Sequence, residues 1–225
     1  PIDEILIERE LRTLKNTSPG ADLIPSWVFR KCSMELCAPI TNLFNKTFCE
    51  GRVPIEWLSA NVTPIPKTPS PTSITDFRPI SVTPLLSRLA ERLLIKHYLQ
   101  PYVNHELLRD QFAFRITGST TAALSCMMHK VTNWLETSNY VRCIMIDFSK
   151  AFDVVDRALL LRKLKQLNAP SFIMKWIASF LSNRSQRTVL QGQSSEALPV
   201  NLGVVQGSAL GPSLFSIFVS DLRPI

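Results

Sequence analysis

Val141-Arg142-Cys143-Ile144-Met145-Ile146-Asp147-Phe148-Ser149-Lys150-Ala151-Phe152-Asp153-Val154-Val155-Asp156 carries the pattern from which the rest of the chain can be read. Its first seven residues form a short apolar run that ends in a carboxylate. The pattern predicts a buried strand with Asp147 at its C-terminal tip, and Cys143 within it reads as a core residue. An acid in that place is held rigidly and points out of the sheet edge, which suits a metal ligand or a catalytic acid. The bland alternative is a cap on the next turn. Asp156 reads as the N-cap of a following helix, and Asp153 as a cap or turn residue. Asp147 is left as the candidate metal ligand, with the aromatic Phe152 five residues further on.

Toward the C-terminus, helices are expected at about 156–168 and 171–183. A hairpin follows around Gln186–Leu190 and Leu198–Leu202, and a last helix from near Ala209 to Asp221. Gly203-Val204-Val205-Gln206-Gly207-Ser208-Ala209-Leu210-Gly211-Pro212 leads into that helix. A Gln between tight-turning residues, directly before a helix, places an amide and free backbone N–H groups at a helix N-terminus. That arrangement suits a phosphate or a nucleotide edge, and a plain turn is the alternative.

Toward the N-terminus, a helix begins at Ser119 and carries Leu124, Met128, Val131 and Leu135, with Met127 and Met128 read as core filler. Another runs from about Leu85 to Gln100 and stops at Pro101. Residues 60–84 hold six of the 16 prolines, at 64, 66, 69, 71, 79 and 84. Proline cannot donate to a ladder, so a strand near Val62 to Pro66 should be an edge strand, and Thr68 to Asp76 reads as an exposed loop. Lys67 and Arg78 flank that loop, within Asp76-Phe77-Arg78-Pro79-Ile80-Ser81 in the latter case. Ile7, Leu11 and Leu14 mark a first amphipathic helix with acids at its start. Pro25 opens a second helix, and Pro39 a third that Gly51 closes.

The chain has 225 residues with 45% apolar and 19% charged side chains, enough for a real core and unlike a disordered or fibrous chain. Residues 1–60 carry 7 basic and 8 acidic side chains, residues 61–225 carry 18 and 10, and the net charge is +7. A phosphate polymer suits the basic part, as does a solvated face kept for solubility. Five cysteines without zinc-knuckle spacing favour reduced thiols in an intracellular protein. No apolar run approaches a membrane span. Ser149 breaks the Asp-x-Asp phosphatase pattern, and the phosphate-loop, paired-His zinc and Gly-x-Ser-x-Gly motifs are absent. His97, His105 and His129 lack ligand spacing on one helix face.

Together these segments resemble the reverse transcriptase domain of LINE-type (non-LTR) retrotransposons, of the jockey-like branch, in family order and over nearly the whole chain. Ser18-Pro19-Gly20-Ala21-Asp22-Leu23-Ile24-Pro25 looks like the N-terminal extension block. Asp76 to Ser81 looks like the first polymerase motif. Gln111-Phe112-Ala113-Phe114-Arg115 with Gly118-Ser119-Thr120-Thr121 looks like the second, although Ala113 replaces the usual Gly. Asp147 to Asp156 looks like motif A, and Val205 to Pro212 like motif B.

The resemblance implies an α+β, helix-rich fold of right-hand polymerase fingers and a partial palm. Residues 1–138 would be fingers, with an N-terminal extension over 1–59, and residues 139–225 would be palm. It implies RNA-directed DNA synthesis with two Mg2+ ions, on an RNA template and a DNA primer, with deoxynucleoside triphosphates, in nucleus and cytoplasm. Asp147, with the Phe148 carbonyl beside it, would hold metal. Phe152 would lie under the sugar and exclude a 2′-hydroxyl, which argues against an RNA polymerase. Gln206 and Gly207 would line the nucleotide pocket, and Lys67 would face the triphosphate. Arg78 and Arg115 would contact the incoming nucleotide or the template. The family's motif C, with its Asp-Asp pair, has no counterpart, since no Asp-Asp pair occurs in the chain. The expectation is therefore a fragment inactive alone, lacking thumb and endonuclease. The rival expectation is a remnant that binds nucleic acid without chemistry.

Overall fold

In the computed structural model the described residues are 1–103, 106–109, 111–115 and 118–222. His105 lies outside them. The N-terminal third is helical. Asp3 caps α1 (Glu4–Arg12), its Oδ1 accepting from the Leu6 amide at 2.7 Å. Helix α2 (Ser26–Lys31) starts after Pro25, as expected. Helix α3 (Ser33–Glu50) starts six residues before Pro39 rather than at it. Proline removes only its own N–H bond to the turn before, and the long apolar face of Ile40, Phe44 and Phe48 holds the helix through that gap. Gly51 ends it in the left-handed conformation, φ 64°.

Strand β1 (Ser59–Pro66) pairs antiparallel with β2 (Phe77–Val82). It is not an edge strand along its whole length. Its first half, Ser59 to Val62, also pairs in parallel with β3 (Arg184–Leu190). The prolines explain the division, because Pro64 and Pro66 lie just beyond the reach of β3, where that flank is open. On its far side β3 pairs with the short β4 (Gln193–Ser194) and β5 (Leu198–Val200), which gives the expected hairpin.

Helix α4 (Leu85–Leu93) continues through a π turn over Leu94–Leu99 into a 3-10 turn that includes Pro101. Asp156 caps α6 (Arg157–Lys165) as read from sequence, with α7 (Ser171–Leu181) and α8 (Leu210–Phe218) following. One core joins them. Trp176 and Phe180 of α7 stack at 5.6 Å, Phe44 of α3 meets Trp57 edge-on at 5.9 Å, and Leu89, Leu160, Leu210 and Leu214 are fully buried.

Two expectations fail together. Residues 141–148 form no strand, and Ile144, Met145 and Ile146 are 86%, 83% and 79% exposed. Cys143 is likewise exposed and free, not a core residue. Helix α5 (Thr120–Leu135) forms where expected, capped by Ser119, but buries no residue. Met128 is 56% exposed and is not core filler. A strand needs a neighbour to satisfy its backbone, and an apolar stripe needs a surface to cover it. No described strand pairs with 141–147.

Candidate active site

The site is built where three distant segments meet. The turn after Asp147 closes through Asp153 N–H and Val154 N–H, both to the Lys150 carbonyl. It then docks on residues 203–204. Val204 N–H donates to the Phe152 carbonyl at 2.8 Å, and Gly203 N–H to the Val155 carbonyl at 3.0 Å. Gly203 is required, since a Cβ there would lie 2.6 Å from the Asp153 carbonyl oxygen in a residue at φ 78°.

The end of β2 holds the loop from the other side. Ser81 N–H donates to the Gln206 carbonyl at 2.7 Å. Gly207, at φ 109°, lets the backbones touch, because a Cβ would meet the Ser81 carbonyl oxygen at 2.5 Å. Ser208 Oγ donates to the Val205 carbonyl at 3.0 Å and accepts from Gly211 N–H at 2.8 Å. The turn that carries Phe152 and the loop that carries Gln206 and Gly207 are thus joined through residues 203–204. A cavity of about 330 Å³ opens beside Gln206, with Ala60, Ser81, Asp153 and Arg157 also in its lining and Phe152 and Gly207 outside it.

Phe152 is fixed by aromatic contacts. Its ring stacks on Phe215 of α8 at 5.0 Å and takes Phe114 edge-on at 6.1 Å. Phe114 comes from the segment that resembles the second polymerase motif, so two of the motif segments meet in this cluster, on a ring of α8.

Lys67 and Arg78 lie along the β1–β2 hairpin. The loop between the strands is organised by Asp76, whose Oδ2 accepts from the Thr72 and Ser73 amides at 2.9 Å each. Those two amides hold its carboxyl below the usual value. Lys67 N–H donates to the Asp76 carbonyl, and Lys67 Nζ to the Thr75 carbonyl, each at 2.7 Å. Arg78 is exposed on β2, and its guanidinium has no partner among the described residues. It shares a strand face with Ile80, whose Cγ2 would lie 3.2 Å from a Cβ at Gly207. Two residues of strand span about 7 Å, so Arg78 stands one side-chain step from the loop.

Asp147 and Arg115 stand apart from this cluster. Asp147 is exposed and makes no hydrogen bond or ion pair among the described residues. Arg115 is half-buried and turned inward, its Nη1 donating to the Leu108 carbonyl at 2.9 Å and the Gln111 carbonyl at 3.2 Å. Two metal ions need carboxylates from more than one segment. Among the described residues no three His, Cys, Asp or Glu side chains gather to hold a metal, so these residues do not fit a two-ion centre.

Sequence reading missed Arg157. Its guanidinium donates to the carbonyls of Gly203, Val200 and Leu202 at 2.8, 2.8 and 2.9 Å, and so ties down the whole approach to Gln206. Burial lowers its pKa. Nothing local marks this role, because the three acceptors lie 43 to 46 residues away.

A family model described as reverse transcriptase (RNA-dependent DNA polymerase) matches residues 65–223. The chain belongs to that family, and its relatives are polymerases of non-LTR mobile elements. It is 32% identical, over 91% of its length, to the RNA-directed DNA polymerase from mobile element jockey of Drosophila melanogaster. It is 29% identical over 99% of its length to the jockey polymerase of Drosophila funebris, and equally so to the probable RNA-directed DNA polymerase from transposon BS of Drosophila melanogaster. It covers 22%, 25% and 25% of these relatives, about a quarter of their length. Among the described residues no helix is long and apolar enough to cross a membrane.

Proposed function

We propose that this chain is the nucleotide-selecting part of an RNA-directed DNA polymerase, with fingers through about residue 138 and a partial palm from 139 onward. The observation that supports it best is the docking of the turn that carries Phe152 onto residues 203–204, beside a cavity lined by Ser81, Asp153, Arg157 and Gln206. In this reading an incoming deoxynucleotide lies against Phe152, whose ring is locked between Phe215 and Phe114. A rigid ring under the sugar penalises a 2′-hydroxyl, because it cannot withdraw to make room. Gln206 and the amides of its loop bind the nucleotide, Lys67 and Arg78 face its phosphates, and the RNA template and DNA primer run over the basic part of the chain, with Arg115 holding the segment that carries Phe114.

Asp147 is proposed as the metal-binding carboxylate of the polymerase, with the Phe148 carbonyl beside it and Mg2+ as the ion. The described residues alone do not complete a two-ion centre. Nucleotide selection needs only the groups named above.

The test is primer extension on an RNA template, with the 225-residue chain beside a version extended through its reading frame. Each is run with and without Asp147→Ala, and with Phe152→Ala. The proposal expects synthesis from the extended version, its loss with Asp147→Ala, and a gain of ribonucleotide incorporation of at least tenfold with Phe152→Ala. The exposed, unpaired Asp147 segment favours a second reading, a nucleic-acid-binding domain without chemistry. That reading takes over if the extended version stays inactive while the chain binds RNA with a steep salt dependence.

A further inference from the structure

Glu91 is fully buried on α4, and its position is unusual for a carboxylate that pairs with no single neighbour. Its Oε1 accepts from Ser87 Oγ at 3.2 Å, one helical turn back. Its Oε2 accepts from the Leu210 amide at 3.1 Å, 119 residues away in the chain. Burial pushes the carboxyl above its ordinary value, while the Leu210 amide, the Arg184 charge, Ser87 and the Ala209 amide act against that. Arg184 is itself buried on β3. It donates to the Phe180 carbonyl, lies 4.6 Å over the Phe180 ring, and is pushed down to about 10.

The helix α8 explains why such a group is kept. Its first amides have no partner within the helix. Ala209 stands at its N-cap and has no side chain to offer. Ser208 serves Gly211, and Glu91 serves Leu210 from another helix. The loop that begins at Gln206 is therefore held by other elements at two points, at its start by Ser81 N–H and at its end by Glu91. Between them Ser208 braces it from within, through the Val205 carbonyl and the Gly211 amide, while Gly207, at φ 109°, does not hold a path by itself.

We propose that Glu91 is a positioning residue, which sets the path of the Gln206–Gly207 loop by holding the first amides of α8 from α4. It touches no substrate. It acts through the loop, and so couples the fingers-side helix α4 to nucleotide affinity. The inference rests on the reading of that loop as nucleotide-facing.

The experiment uses the 225-residue chain, a fluorescent 3′-anthraniloyl deoxyadenosine triphosphate as probe, and amide hydrogen exchange over 204–211. Glu91→Gln keeps the volume and replaces the two acceptor oxygens by one oxygen and an NH2 group, which cannot accept from both Ser87 and the Leu210 amide. It is expected to weaken probe binding about tenfold and to speed exchange at Gly207 to Gly211, with α1 and α3 unchanged. Ser87→Ala leaves the carboxylate but frees its orientation, and is expected to act in the same direction by about threefold, which keeps the test open if Glu91→Gln folds poorly. The double variant Glu91→Gln/Gln206→Ala is expected to bind no more weakly than Gln206→Ala alone, because both act through one loop. The proposal is overturned if Glu91→Gln lowers the melting temperature yet leaves binding and loop exchange unmoved, or if its effect adds in full to that of Gln206→Ala. If Gln206→Ala leaves binding unchanged, the nucleotide reading of the loop is wrong. The role of Glu91 is then judged by exchange alone, and unchanged exchange in Glu91→Gln sinks it.

Discussion

Two apolar stretches of this chain look alike in sequence and behave oppositely. Leu210, Leu214 and Ile217 of α8 are at most 1% exposed, while Ile144, Met145 and Ile146 are at least 79% exposed. Helix α8 lies against α6 and the aromatic cluster of Phe152, and its first amides are held by Glu91. The 141–148 segment has no paired strand beside it, and α5 before it buries nothing. An apolar run is therefore a demand for a partner surface, not a statement that one exists.

The contrast can be broken most directly by truncating one side chain on each side of it. Leu214→Ala should cost about 2–5 kcal/mol, as a fully buried leucine does. Ile144→Ala should stay within about 0.5 kcal/mol, as a surface change does. Denaturant titration of both variants decides it, and equal losses would mean that 141–148 is packed in solution.

A smaller effect is expected where the loop is held rather than buried. Arg157→Ala leaves three carbonyls without their donor and should cost about 1–3 kcal/mol. Gly207→Ala combines a positive φ with a 2.5 Å approach to the Ser81 carbonyl, and strain of that kind costs about 1–3 kcal/mol. Gly192→Ala is the matched control, since φ there is 80° but nothing lies within 4 Å of its Cβ. Melting curves that rank Gly192→Ala with Gly207→Ala would show that the close contact at Gly207 is unimportant.

The smallest effect concerns the hairpin loop. Asp76 has a lowered pKa in the folded chain, so its contribution to the loop is complete above the ordinary carboxylate value near 3.8 and is lost as the pH falls through the lower folded value. Amide exchange at Thr72 and Ser73 should stay slow from pH 7 down to about 4 and quicken only below it, after correction for intrinsic rates. Asp76→Asn should quicken the same two amides at pH 7. Protection that survives in the variant would remove Asp76 from this role.

Local chemistry was readable in advance. Ser119 and Asp156 at helix starts and Gly51 at a helix end depend on residues a few positions apart, and the β3–β5 hairpin on partners 12 to 16 positions apart. The assignment to the reverse transcriptase family rests on short motifs in a fixed order. The parallel pairing of Ser59 with Ser185, the fan of bonds from Arg157, and the bond from Leu210 to Glu91 were not readable. Each joins residues far apart along the chain, and no local pattern announces a partner at that distance.

The amino-acid order alone thus determined the helices, their caps, the hairpin and the motifs, because each is set by chemistry within one short stretch of chain. Which apolar faces found cover, and which groups hold the Gln206 loop, were settled only by the packed chain. Burial and long-range hydrogen bonds depend on what the rest of the molecule brings alongside.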